Sequence, residues 1–114
     1  MPNDETFDVA LAQITVDWGI TSKPISGGTC YLLNGDVLCA VYKESLILRL
    51  GESMASVALQ EPFIKPVKIT SRTMRGWVMI EPAILQHRDR LERWLAQARS
   101  VVANLAFDFY GQNQ

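Results

Sequence analysis

Gly28-Thr29-Cys30-Tyr31-Leu32-Leu33-Asn34-Gly35-Asp36-Val37-Leu38-Cys39-Ala40-Val41-Tyr42 decides the fold. Asn34-Gly35 is the strongest two-residue hairpin signal, because both central positions of a type I′ turn need positive φ. On either side the residues suit period 2 better than 3.6. Residues 28–33 and 36–42 therefore read as two strands of one hairpin. Residues 45–50 follow as a third strand across Lys43-Glu44, a weaker turn because neither residue favours positive φ.

Outward from this meander the chain punctuates itself. Residues 3–17 predict a helix, with Asn3 or Asp4 as N-cap and Phe7, Ala10, Leu11 and Ile14 at helical spacing. Residues 19–27, with Gly19, Pro24 and Gly27, read as a loop. Glu52 to Gln60 predicts a short helix capped near Gly51 or Ser53. Residues 67–70 predict an edge strand, and residues 75–81 a more definite one ended by Pro82. A long helix is expected from about Ile84 to Leu105, with Leu91, Trp94, Leu95, Ala98, Val101, Val102 and Leu105 along one stripe. The order α-β-β-β-α-β-β-α predicts an α+β fold, an antiparallel sheet with its helices on one face. One domain over residues 1–105 and a tail over 106–114 follow.

Composition narrows the function. With 114 residues, 48% hydrophobic and 20% charged, the chain can support a core of its own. Eleven Lys and Arg face twelve Asp and Glu, a net charge of −1, so direct nucleic-acid binding through a cationic face is not expected. No apolar run approaches a membrane span of about 20 residues, and Met1-Pro2-Asn3-Asp4-Glu5 does not read as a signal peptide. A cytoplasmic, reducing location is expected, which suits two unpaired cysteines.

Two-residue turns at both hairpins fix an expected register. Cys30 would meet Cys39, Leu32 would meet Val37, and Val41 would meet Leu46. One face then carries Cys30, Leu32, Val37, Cys39, Val41, Leu46, Leu48 and Leu50 and forms the core, joined by Gly76, Val78 and Ile80. The other carries Tyr31, Leu33, Asp36, Leu38, Ala40, Tyr42, Ser45, Ile47 and Arg49, joined by Arg75, Trp77, Met79 and Glu81; with Tyr31, Leu33, Leu38, Ile47, Trp77 and Met79 it is too apolar for a solvated sheet face. Tyr31, Leu33, Ile47, Arg49, Arg75, Trp77 and Met79 are therefore expected to form an interaction surface. It would be covered by a second copy in a homodimer, by an unknown protein partner, or by the tail aromatics Phe107, Phe109 and Tyr110.

The usual chemistries find little footing. Cys30 and Cys39 read as small buried hydrophobes rather than a redox pair. His87 is the one histidine and reads as a surface residue, so neither a catalytic set nor a metal site nor a cofactor is expected. Gly27-Gly28 could cradle an anion, but it precedes a strand and reads better as tight backbone packing. Arg49, Arg72, Arg75 and Trp77 read as a polar rim; alternatively Arg49, Arg75 and Trp77 bind a small ligand or anion.

Gly27-Gly28-Thr29-Cys30-Tyr31-Leu32-Leu33-Asn34-Gly35, Leu46-Ile47-Leu48-Arg49-Leu50-Gly51, Arg72-Thr73-Met74-Arg75-Gly76-Trp77-Val78 and Trp94-Leu95 with Ala98-Arg99 together resemble the TfoX N-terminal domain family, also called Sxy. The resemblance covers roughly residues 20–105. It implies an α+β sandwich and a non-enzymatic regulator, linked to transcription or DNA-uptake competence, with no catalytic residues. Fuller members carry a C-terminal helical domain, and this chain reads as a single-domain member without it. Ile25-Ser26 stands where the family usually has Met-Phe, and Leu105 to Tyr110 replaces its Leu-Pro-Pro-Lys-like ending.

Overall fold

A computed structural model describes residues 5–69 and 72–111; the expected Asn3 or Asp4 cap lies outside the described residues. The first helix, α1, spans Phe7–Ile14, and Thr6 caps it by accepting a hydrogen bond from the Val9 N–H at 3.3 Å. Four strands follow: β1 (Thr21–Ile25), β2 (Gly28–Leu33), β3 (Asp36–Tyr42) and β4 (Ser45–Arg49). Then come α2 (Glu52–Ala58), β5 (Ile64–Ile69), β6 (Arg72–Ile80), a 3-10 turn over Pro82–Gln86, and α3 (Arg88–Gly111).

All strand pairs are antiparallel, in the order β1-β2-β3-β4-β6-β5. The fold is α+β with its helical side packed as expected. The 19–27 segment, read as a loop, contains the additional edge strand β1. Every β1 side chain is exposed, so the strand is held by its backbone pairing with β2 and left no apolar alternation in the sequence.

Both tight turns form. Asn34 and Gly35 have φ of 55° and 85°, and Lys43 and Glu44 take 48° and 74°. The second turn is built against residue preference: β3 and β4 pair right up to Tyr42 and Ser45, which leaves two residues to close the hairpin.

The register of β2 on β3 departs from the expected one. Leu33 pairs with Asp36 and Leu32 with Val37, but Tyr31 pairs with Cys39 and Cys30 with Ala40. Leu38 is the extra residue of a β-bulge. Beyond it, β2 is turned over relative to expectation. Cys30 and Leu32 lie on the helix-free face, while Tyr31 and Leu33 lie on the helical face. Cys30 and Cys39 are therefore not directly paired, and only Cys39 is fully buried. The physical reason is burial: the bulge puts both Leu38 and Cys39 in the core at 0% exposure and seats Leu33 there as well. Each large aliphatic side chain so buried contributes about 1.5–3 kcal/mol.

The core lies between the sheet and the helices. Phe7, Ala10 and Leu11 of α1, Ala55 and Ala58 of α2, and Leu91, Trp94, Leu95, Ala98 and Val102 of α3 meet Val41, Leu46, Leu48, Val78 and Ile80. Trp94 is anchored by donating its indole N–H to Glu61 at 3.1 Å. α3 starts at Arg88, not near Ile84, because Pro82–Gln86 takes the tighter 3-10 form. It also continues past Leu105 to Gly111, so the segment holding Phe107, Phe109 and Tyr110 is the end of α3; their side chains lie outside the described residues. Arg88 pairs with Glu92 at 3.6 Å and with Glu5 at 2.9 Å, and Arg93 reaches Glu61 at 3.3 Å.

Candidate functional site

Because the helices pack on one face, the other is left to Lys23 and Ile25 of β1, Cys30 and Leu32 of β2, Val37, Ala40 and Tyr42 of β3, and Ile47 and Arg49 of β4. Trp77 and Met79 of β6 complete it. Arg49 pairs directly with Trp77 and Ile47 with Met79, and the Arg49 guanidinium stacks 4.8 Å above the Trp77 ring. That arrangement covers the indole and disperses the cation over its π face.

The face is hollowed into a trough of about 480 Å³ lined by Ile25, Ala40, Tyr42, Ile47, Val67, Lys68 and Met79. Its lining includes both edge strands, β1 and β5, so the sheet curls until its edges flank one cavity. Val67 is 1% exposed, lies outside the core cluster under the helices and lines the trough. A register shift between Pro66 and Lys68 bends β5 at this point. Lys68 sits in the lining, and the Lys43 ammonium stands 5.3 Å from the Tyr42 ring. Lys65 is engaged with Glu81 at 2.6 Å.

Of the seven residues expected on the interaction surface, the structure brings Ile47, Arg49, Trp77 and Met79 together on this face. Tyr31 and Leu33 are placed on the helical face by the Leu38 bulge. Leu33 is in the core, and the Tyr31 hydroxyl donates to the Asp8 carboxylate of α1. Burial and the neighbouring carboxylate push the Tyr31 hydroxyl pKa upward. Arg75 is exposed and lines a separate groove beside α2 with Glu52, Ser56 and Trp77. Arg49 is not in that groove's lining. The side chain of Arg72 lies outside the described residues. Ile25 and Val67 were missed, and Tyr42, expected on this face, was not counted in the interaction surface. Ile25 was read as loop, Val67 belongs to an edge strand whose alternation breaks, and no local pattern reports the curvature that gathers them.

Gly27-Gly28 is explained by packing. A Cβ on Gly28 would lie 1.7 Å from the Val41 carbonyl oxygen, so nothing larger than hydrogen fits. The adjoining cavity of about 520 Å³ sets the carboxylates of Glu5, Asp8 and Glu44 against the one cation Lys43 in its lining, a balance that disfavours an anion. His87 is exposed and stacks on Phe63 at 5.7 Å. Among the described residues no three His, Cys, Asp or Glu side chains gather as a metal site would require. No described helix is long and apolar enough to cross a membrane.

The profile of the TfoX N-terminal domain matches residues 15–101, which runs from the end of α1 to within α3 and includes all six strands. The chain belongs to the TfoX N-terminal domain family. The match takes in the whole trough and the Arg49–Trp77 stack, so these features sit inside the TfoX N-terminal domain rather than on an appendage. No curated protein matched the sequence.

Proposed function

We propose that this TfoX N-terminal domain is a non-enzymatic, regulatory interaction module, working in transcriptional or competence control, that binds protein through the helix-free face of its sheet. One observation carries the reading: the face opposite the core is largely apolar over the four central strands β2, β3, β4 and β6, and forms an open trough. A solvated sheet face alternates to polar residues; this one presents Leu32, Val37, Ile47, Trp77 and Met79. The edges favour the face over strand addition. β1 contains Lys23 and Pro24, β5 contains Lys65, Pro66 and Lys68, and such residues block pairing with another strand.

The test is capture from the native host, comparing the wild type with Ile47→Glu and Trp77→Ala. Both side chains are half-buried on the open face, so the folded baseline stays checkable by thermal melting. Loss of the same partner by both variants, at unchanged folding, supports the reading. Retention of every partner by both variants overturns it.

A further inference from the structure

We propose that the occupant of the trough is the C-terminal end of α3 from a second copy of this chain, an inference that rests on the open face being the interaction surface. The argument joins two parts of the molecule. α3 continues for nine residues past Val102, the last buried residue among the described side chains, or about 13 Å at the helical rise. In this stretch Leu105, Phe107, Phe109 and Tyr110 concentrate apolar and aromatic groups, and Leu105 is 39% exposed.

The stretch cannot serve its own trough. α3 lies against the helical face and is continuous to Gly111, and a continuous helix does not double back around a sheet edge. An apolar helix end and an apolar trough thus stand on opposite sides of one protomer, which a second copy reconciles by reciprocal exchange.

Charge agrees. From Ser100 to Gly111 the sequence has one acid, Asp108, and no Lys or Arg. No basic residue occupies the last turn of α3, so the negative end of its dipole is uncompensated within the helix. The trough has Lys68 in its lining and Lys23 on the neighbouring edge strand. Among the described residues neither forms an ion pair with a carboxylate. Trough-to-trough stacking would instead oppose like charges.

Sedimentation velocity on the full chain tests this, with two full-length variants. Phe107→Ser/Phe109→Ser/Tyr110→Ser removes the helix-end aromatics, and Ile47→Glu blocks the trough. The wild type is expected to dimerise, and each variant to dissociate at least about tenfold more readily, as loss of an interface anchor does. Mixing the variants is expected to restore association above that of either alone, since the mixture holds one intact trough and one intact helix end. A monomeric wild type, an aromatic variant that dimerises like the wild type, or a mixture no more associated than its components overturns the proposal. If the wild type is monomeric while Ile47→Glu still abolishes partner capture, the face binds another protein. This inference then fails while the interaction reading stands.

Discussion

Tyr31 of β2 stands directly across from Cys39 of β3, on the helical face, and the residue displaced to allow it is Leu38. That pairing places Cys30 on the opposite face and separates the two thiols. Cys39 is fully buried and Cys30 half-buried. A thiol-specific reagent at neutral pH is therefore expected to label Cys30 and spare Cys39 in the folded protein, as read by mass spectrometry of digested peptides. Mild oxidation should give no intramolecular Cys30–Cys39 disulfide. Appearance of that bridge in the folded monomer would contradict the bulged register.

Alkaline stability follows from the same pair. Burial raises the pKa of Cys39, and burial with the Asp8 contact raises that of Tyr31. Both groups stay protonated in the folded state while the unfolded chain ionises, so the unfolded state binds fewer protons and stability falls as pH rises. The loss is expected to begin near the ordinary thiol pKa of about 8.5, at up to about 1.4 kcal/mol per pH unit for Cys39. It should steepen near pH 10, roughly where a free tyrosine ionises. Urea midpoints of wild type and Cys39→Ala across pH 7–10 check it: the variant should lose the first part of the slope.

Gly28 and Gly19 separate packing from backbone freedom. Gly28→Ala drives a Cβ to 1.7 Å from the Val41 carbonyl oxygen and is expected to cost at least about 3 kcal/mol, the upper end of overpacking. Gly19 has φ +74° with nothing within 4 Å, so Gly19→Ala should cost only the left-handed strain, about 1–2 kcal/mol. Chemical denaturation of both variants gives the comparison. Equal costs would place Gly28 in open space.

The Lys43-Glu44 turn holds two residues that disfavour positive φ. Lys43→Asn together with Glu44→Gly supplies the preferred type I′ pair. The double variant is expected to gain about 1 kcal/mol, measured as an upward shift in the urea midpoint. No gain would mean that side-chain contacts at the turn already offset the strain.

Leu48 is 0% exposed at the centre of the core. Leu48→Ala is expected to cost about 2–5 kcal/mol, as large-to-small core changes do. A loss under about 1 kcal/mol in the same assay would be a surface response and would move Leu48 off the helical face.

The sequence by itself determined the Asn34-Gly35 hairpin, the helical stripe from Leu91 to Val102, and the core face of β4 and β6. In each case the signal is local. A turn needs particular φ values, and Leu46, Leu48, Val78 and Ile80 alternate with residues of the other face at period 2. The faces of β2 were not legible because Cys30, Leu32, Tyr31 and Leu33 are apolar enough for either side. A one-residue slip then costs no pattern, and packing of Leu33, Leu38 and Tyr31 against α1 and the core chose the bulge. β1 was hidden because an exposed edge strand is specified by its partner's hydrogen bonds and not by its own side chains. The trough is the most tertiary feature of all. Ile47 and Met79 were readable as neighbours on one face, but Ile25 and Val67 join them only because the sheet curls, and curvature is a sum of twists and bulges over six strands that no single segment encodes.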